Sequence, residues 1–100
     1  MCGIFGYVGE PTAIGSTILD ALRKLEYRGY DSWGVAVAVN GHIAVDKRPG
    51  KIAGASVDFP SSGLGFGHTR WATHGRVTAE NAHPHLDCSG QVAVIHNGIV

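Results

Sequence analysis

Charge imbalance, long apolar stretches and the Cys-x-x-Cys or His-x-x-x-His spacings of metal sites are all missing from this 100-residue sequence. Eight basic residues offset eight acidic ones, and no basic run or stripe could follow a phosphate backbone, so nucleic acid is not an expected partner. No run of about eighteen apolar residues is present, and the start lacks a basic segment followed by an apolar one. The expectation is therefore a cytoplasmic chain without a membrane partner. Cysteine is scarce as well: Cys2 and Cys88 could pair, but a cytosolic chain keeps its thiols reduced, and each needs its own explanation. Six histidines, with His83, His85 and His96 near Cys88, invite a zinc reading, yet neither a Cys-x-x-Cys nor a His-x-x-x-His pair supports it. No metal and no cofactor are expected.

What is present suits one globular unit, with 44% hydrophobic and 16% charged residues, and fifteen glycines scattered at turn-like places. Cys2 to Val8 is short, apolar and β-rich, which predicts a buried strand closed by Gly9. From Thr12 onward Ile14, Ile18, Leu22 and Leu25 recur at helical spacing, with Pro11 near the start and Gly29 past the end, predicting a helix that ends near Tyr27. Val35, Val37 and Val39 alternate with smaller residues, and Asn40-Gly41 links them to a second β-like run from His42 to Lys47, a hairpin pattern. Residues 51–62 read as a loop or one short helix, 63–69 as extended, 71–90 as a long irregular segment of the kind that carries function, and 91–96 as a final strand. One helix among hairpin-connected strands indicates an α+β fold with a largely antiparallel sheet.

Position two offers a specific chemistry. Removal of Met1 would leave Cys2 as the first residue, carrying both a thiol and a free α-amine. An α-amine titrates near 7.7 to 8.0 and a thiol near 8.5, so the neutral amine can accept the thiol proton directly or through a water. Gly3 and Gly6 leave room beside the backbone for a ligand or another segment. Elsewhere the residues alone leave plain alternatives open: Asn97-Gly98 is equally a hairpin turn, Arg70 a solvated surface arginine, Trp71 ordinary core and Cys88 an exposed thiol.

Five segments in order carry a resemblance: Met-Cys-Gly-Ile-Phe-Gly at the start, Leu-Glu-Tyr-Arg-Gly-Tyr-Asp-Ser from Leu25, His-Thr-Arg-Trp-Ala-Thr-His-Gly from His68, Asn-Ala-His-Pro-His from Asn81 and His-Asn-Gly-Ile from His96. Together they resemble the glutamine–fructose-6-phosphate aminotransferase family, also called glucosamine-6-phosphate synthase. The wider class is the N-terminal-nucleophile glutamine amidotransferases. Amidophosphoribosyltransferase and asparagine synthetase share its cysteine chemistry, but the wording of the second and third segments favours the hexosamine enzyme. The resemblance implies an α+β four-layer sandwich with antiparallel sheets, of which residues 1–100 would form the N-terminal part. It implies that Cys2 attacks the side-chain amide of glutamine, releases ammonia through a γ-glutamyl thioester and is regenerated by water. Asn97 and Gly98 map onto the oxyanion donors, Arg70 onto the residue holding the glutamine α-carboxylate, and Trp71, Thr73, His74 and His83 onto the rest of the glutamine site. Glutamine is then the substrate of this part, fructose 6-phosphate would bind through isomerase domains that this chain lacks, and the parent would be a homo-oligomer.

The family's amidotransferase domain is longer than this chain, and its aspartate for the glutamine α-amine falls beyond Val100. The chain is therefore expected to be a fragment whose incomplete sheet leaves open edges and an uncovered apolar face. Two rivals follow: a fragment that binds glutamine or a partner chain without hydrolysing anything, or the glutaminase part of another amidotransferase. A retained Met1 would turn the amine into an amide and abolish the activity. Trp33 stands where relatives usually carry a small residue, and the stretch between Gly50 and Gly67 looks short, so packing near the hairpin is expected to differ.

Overall fold

The computed structural model describes residues 2–29, 31–71 and 76–97. Alternation of residues along the first strand, β1 (Gly3–Thr12), sends Phe5 and Tyr7 to one face, where they pack on the core, and Ile4 and Val8 to the other. A single helix, α1 (Ile14–Leu25), follows and leads into a 3-10 turn over Glu26–Arg28. Then come β2 (Ser32–Val39), β3 (His42–Pro49) and β4 (Ser62–Arg70), with two short strands, β5 (His85–Leu86) and β6 (Ala93–Val94), near the end. The first four strands form one antiparallel sheet in the order β1-β4-β2-β3, and β5 pairs with β6 in a separate ribbon. The α+β architecture with antiparallel sheets is thus observed. No helix among the described residues is long and apolar enough to cross a membrane.

The helix forms where its spacing predicts, because Ile14, Ile18 and Leu22 repeat every four residues and line one stripe. All three are fully buried with Leu19, Trp33, Val35, Val37 and Ile52, and each such burial stabilises by about 1.5–3 kcal/mol. The helix lies close upon the central strand β4. A Cβ on Gly67 would come within 2.6 Å of Ile18 and 2.8 Å of Leu22, so only glycine permits this approach. Residues 51–61 form no regular element and wrap the helix as a loop. Arg23 Nη2 donates to the Ala55 carbonyl at 2.6 Å and Ile52 N–H donates to the Glu26 carboxylate at 2.6 Å, while Val57 and Phe59 pack on the core.

Several features differ from the sequence reading, the first being β1, which runs past Gly9 to Thr12 and is a largely exposed edge strand where a buried one was expected. Pro11 belongs to β1 rather than to the start of the helix, which begins at Ile14. An edge strand tolerates the missing N–H, and the β1–β4 register shifts between Val8 and Thr12. At the other end α1 stops at Leu25, and the chain reaches Arg28 as a 3-10 turn. Gly29, read as ending the helix, follows that turn and is extended, with φ −177°. The final strand is only two residues long and pairs outside the main sheet, whereas 91–96 predicted a longer one.

The Asn40-Gly41 turn matches its prediction, with φ of 48° and 82° as a two-residue hairpin turn requires. Trp33 is accommodated by full burial under the Arg48 guanidinium, 5.1 Å from its ring centre. The sheet face opposite α1 is only partly covered. Residues 76–97 lie across the β2–β4 end, and Ile4, Val8 and Leu64 remain 60%, 84% and 54% exposed.

Candidate active site

Strand pairing brings the two ends of the chain's chemistry together. Gly3 stands opposite Thr69, so Cys2 lies beside the exit of β4 toward Arg70 and Trp71. The Trp71 N–H donates to Cys2 Sγ at 3.2 Å, and the thiol lies 3.8 Å from the Trp71 carbonyl. That carbonyl also accepts the side-chain amide of Asn97, Nδ2 to O 3.1 Å. Main-chain polar groups of one residue therefore hold both the sulfur and the Asn97 amide. Cys2 itself is half-buried, and its carbonyl accepts Arg28 Nε at 3.2 Å.

Gly29 explains how the Trp71 backbone is held in place. A Cβ there would lie 2.6 Å from the Arg70 carbonyl carbon and 2.9 Å from the Trp71 nitrogen. The turn after α1 thus backs directly onto the peptide whose N–H meets the sulfur, and Asp31 N–H donates to the Arg70 carbonyl at 3.2 Å to close the contact. The glycine is needed for this approach rather than for ending a helix.

Strand alternation places His68 and Arg70 on the sheet face that 76–97 covers. Arg70 is 4% exposed and its Nη1 donates to the Arg76 carbonyl at 3.1 Å. His83 is seated over Gly34, where any side chain would strike the His83 carbonyl. Its ring packs against His68 at 4.7 Å and His85 at 4.6 Å between centroids, and its Nδ1 accepts the His96 N–H at 3.2 Å. Burial, followed by charge on neighbouring histidines and Arg70, pushes His68 down to about 3 and His83 down to about 4, so both rings are neutral at pH 7. Neutrality leaves the His83 Nδ1 lone pair free to accept, and it keeps further positive charge away from the buried Arg70.

Of the residues expected from sequence, the structure brings Cys2, Trp71 and Asn97 into direct contact, and joins His83 to Asn97 through the adjacent His96. Arg70 leads into Trp71 and faces the histidines. Thr73, His74 and Gly98 lie outside the described residues. Sequence reasoning passed over His68, although period two along 62–70 puts it on the face of Arg70. Cys2 and Cys88 are both free thiols, Cys88 being exposed in the turn between β5 and β6. Among the described residues no group of three or more His, Cys, Asp or Glu side chains is placed to hold a metal ion.

No family model matches the chain. Individual proteins do: those of Mycobacterium tuberculosis and Streptomyces coelicolor are each 52% identical over 107 and 105 residues, and that of Halobacterium salinarum is 53% identical over 102. Each is named glutamine–fructose-6-phosphate aminotransferase [isomerizing], and each match takes in 100% of this chain. The chain is homologous to the N-terminal part of that aminotransferase family. It spans 17% of the length of these relatives. The resemblance to glutamine–fructose-6-phosphate aminotransferase therefore extends beyond the five motifs to the strands and helix between them.

Proposed function

We propose that this chain carries the glutamine-hydrolysing centre of an amidotransferase, with Cys2 as the nucleophile. The observation that supports it best is the meeting of Cys2 Sγ and Asn97 Nδ2 at Trp71, since acyl transfer needs a nucleophile and a hydrogen-bond donor within reach of one carbonyl. With Met1 removed, the Cys2 α-amine takes the thiol proton and Sγ attacks the side-chain amide carbon of glutamine. Asn97 Nδ2 and the Gly98 N–H stabilise the oxyanion, which needs Asn97 to turn its amide from the Trp71 carbonyl to the substrate. Collapse expels ammonia, which takes the proton from the amine, and leaves a γ-glutamyl thioester that water hydrolyses to glutamate and free Cys2. Arg70 holds the α-carboxylate, while Trp71, Thr73, His74 and His83 enclose the substrate.

The names of the relatives support fructose 6-phosphate as the acceptor. In a cytoplasmic, homo-oligomeric parent the ammonia passes to fructose 6-phosphate and yields glucosamine 6-phosphate, through domains outside residues 1–100. Those residues form the N-terminal part of a class II glutamine amidotransferase domain. The open sheet face bearing Ile4, Val8 and Leu64 then receives a second sheet, completing a four-layer sandwich.

Intact mass before and after treatment with the glutamine-site electrophile 6-diazo-5-oxo-norleucine tests the reading, with Cys2→Ala as control. A mass lacking Met1, plus one adduct that disappears in Cys2→Ala, is expected. Retained Met1, or labelling indifferent to Cys2, would leave a chain that hydrolyses nothing and would sink the proposal.

A further inference from the structure

The buried pair His68 and His83 does more than fill the space between β4 and the segment that covers it. His68 is 1% exposed, and neither of its ring nitrogens has a hydrogen-bond partner among the described residues. A polar ring in such a place is costly, and an aliphatic side chain would fill the volume at lower cost but would not offer a ring to His83. What His68 does touch is the ring of His83. His83 in turn accepts the His96 N–H, and His96 precedes Asn97, whose amide reaches the Trp71 carbonyl beside Cys2. The contacts thus run from the middle of a sheet strand, through two imidazoles and one main-chain hydrogen bond, to the donor that meets the oxyanion.

We propose that His68 is a positioning residue for the glutaminase reaction: its ring is the platform that fixes His83, and through the His83–His96 hydrogen bond it sets the position of Asn97 relative to Cys2. The inference rests on the amidotransferase reading. It assigns to His68 no contact with glutamine and no proton transfer. The carbonyl of His83 already sits against Gly34, so the backbone is fixed from below, and the ring needs a second surface to hold Nδ1 toward His96. His85 meets the ring edge-on at 4.6 Å, and His68 supplies the surface from the adjacent strand, since His68 and Gly34 are register partners. The ring-to-ring contact, with the two planes tilted 48° to each other, is the property that the position of His83 depends on.

The consequence is selective. Arg70, which would hold the ground-state carboxylate, faces the same histidines but has an anchor of its own at the Arg76 carbonyl, whereas Asn97 acts only as charge develops. Loss of the His68–His83 contact should therefore lower kcat by far more than it raises KM, His83 being one of several residues around the substrate. Steady-state glutaminase kinetics on the full-length processed protein are the test, with His68→Ala and His68→Phe, and with hydrogen exchange at the His96 amide followed in parallel. His68→Ala should lower kcat about tenfold or more, with KM within about twofold, because small misplacements of a catalytic donor are expensive. It should also speed exchange at His96. His68→Phe, which keeps a flat ring, should recover most of kcat and restore His96 protection. A His68→Ala protein with normal kcat, or with kcat unchanged and KM raised, overturns the inference. If His68→Ala fails to fold, His68→Phe decides alone: near-wild-type kcat with a protected His96 upholds the platform, and a kcat as low as that of Asn97→Ala refutes it. Failure of the wild-type protein to hydrolyse glutamine at all would remove the amidotransferase reading and this inference with it. Normal wild-type activity with an indifferent His68 removes this inference alone.

Discussion

Acidification from about pH 6.5 to about pH 5 should cost the fold ~3 kcal/mol through two histidines. Folded His68 and His83 bind their protons only near about 3 and about 4, whereas an unfolded histidine binds its own near the ordinary 6.5. Their folded values are depressed, so the unfolded state binds more protons as the pH falls below 6.5. Stability is full above that value and declines until the pH reaches the folded values. Each group loses about 1.4 kcal/mol per pH unit within that window, which comes to about 1.5 kcal/mol over the interval once incomplete titration at its upper end is allowed for. Two groups make about 3 kcal/mol, a large share of the 5–15 kcal/mol that holds a typical domain. Urea denaturation at the two pH values measures this directly, as a lower midpoint with an unchanged slope. Carboxylates also titrate in this range, so the decisive comparison is with His68→Phe, which should lose about 1.5 kcal/mol less than the wild type. Equal losses in the two proteins would mean that His68 titrates alike folded and unfolded, and would refute the account of a ring buried without charge.

Two further outcomes can be stated. Gly29→Ala should push the Arg70–Trp71 peptide away from Cys2, because the new Cβ would sit 2.6 Å from the Arg70 carbonyl carbon, and should slow labelling of Cys2 by a glutamine-site electrophile about tenfold or more while far-ultraviolet circular dichroism stays unchanged. Ile18→Ala empties the centre of the core between α1 and β4 and should cost about 2–5 kcal/mol in chemical denaturation.

The features legible in the sequence are those that depend on neighbours. The four-residue repeat of Ile14, Ile18 and Leu22 needs only a helix to become one apolar stripe, and Asn40-Gly41 meets the positive φ values of its turn locally. Where the outcome depends on distant partners the reading slips. Pro11 signals a helix start until the strand is known to be an edge, and Gly29 signals a helix cap until Arg70 is known to press against it. The site shows the same division. Cys2 and Asn97 stood out through motif resemblance, but their common anchor at Trp71 spans sequence separations of 69 and 26 residues. His68 lay within a recognised motif, and its partner His83 is brought to it only by the segment folding back over Gly34.

Trp71 meets Cys2 with its N–H and Asn97 with its carbonyl. Because the two anchors belong to one residue, a displacement of this stretch of backbone reaches both groups with the same sign, and the distance between sulfur and amide changes less than the position of either. Alignment error in such an arrangement is largely common to both arms. Until Asn97 turns away from the Trp71 carbonyl, the two groups can shift as a unit with the end of β4 and keep their separation. A looser construction, with each group hung on its own loop, would turn the same backbone motion directly into misalignment.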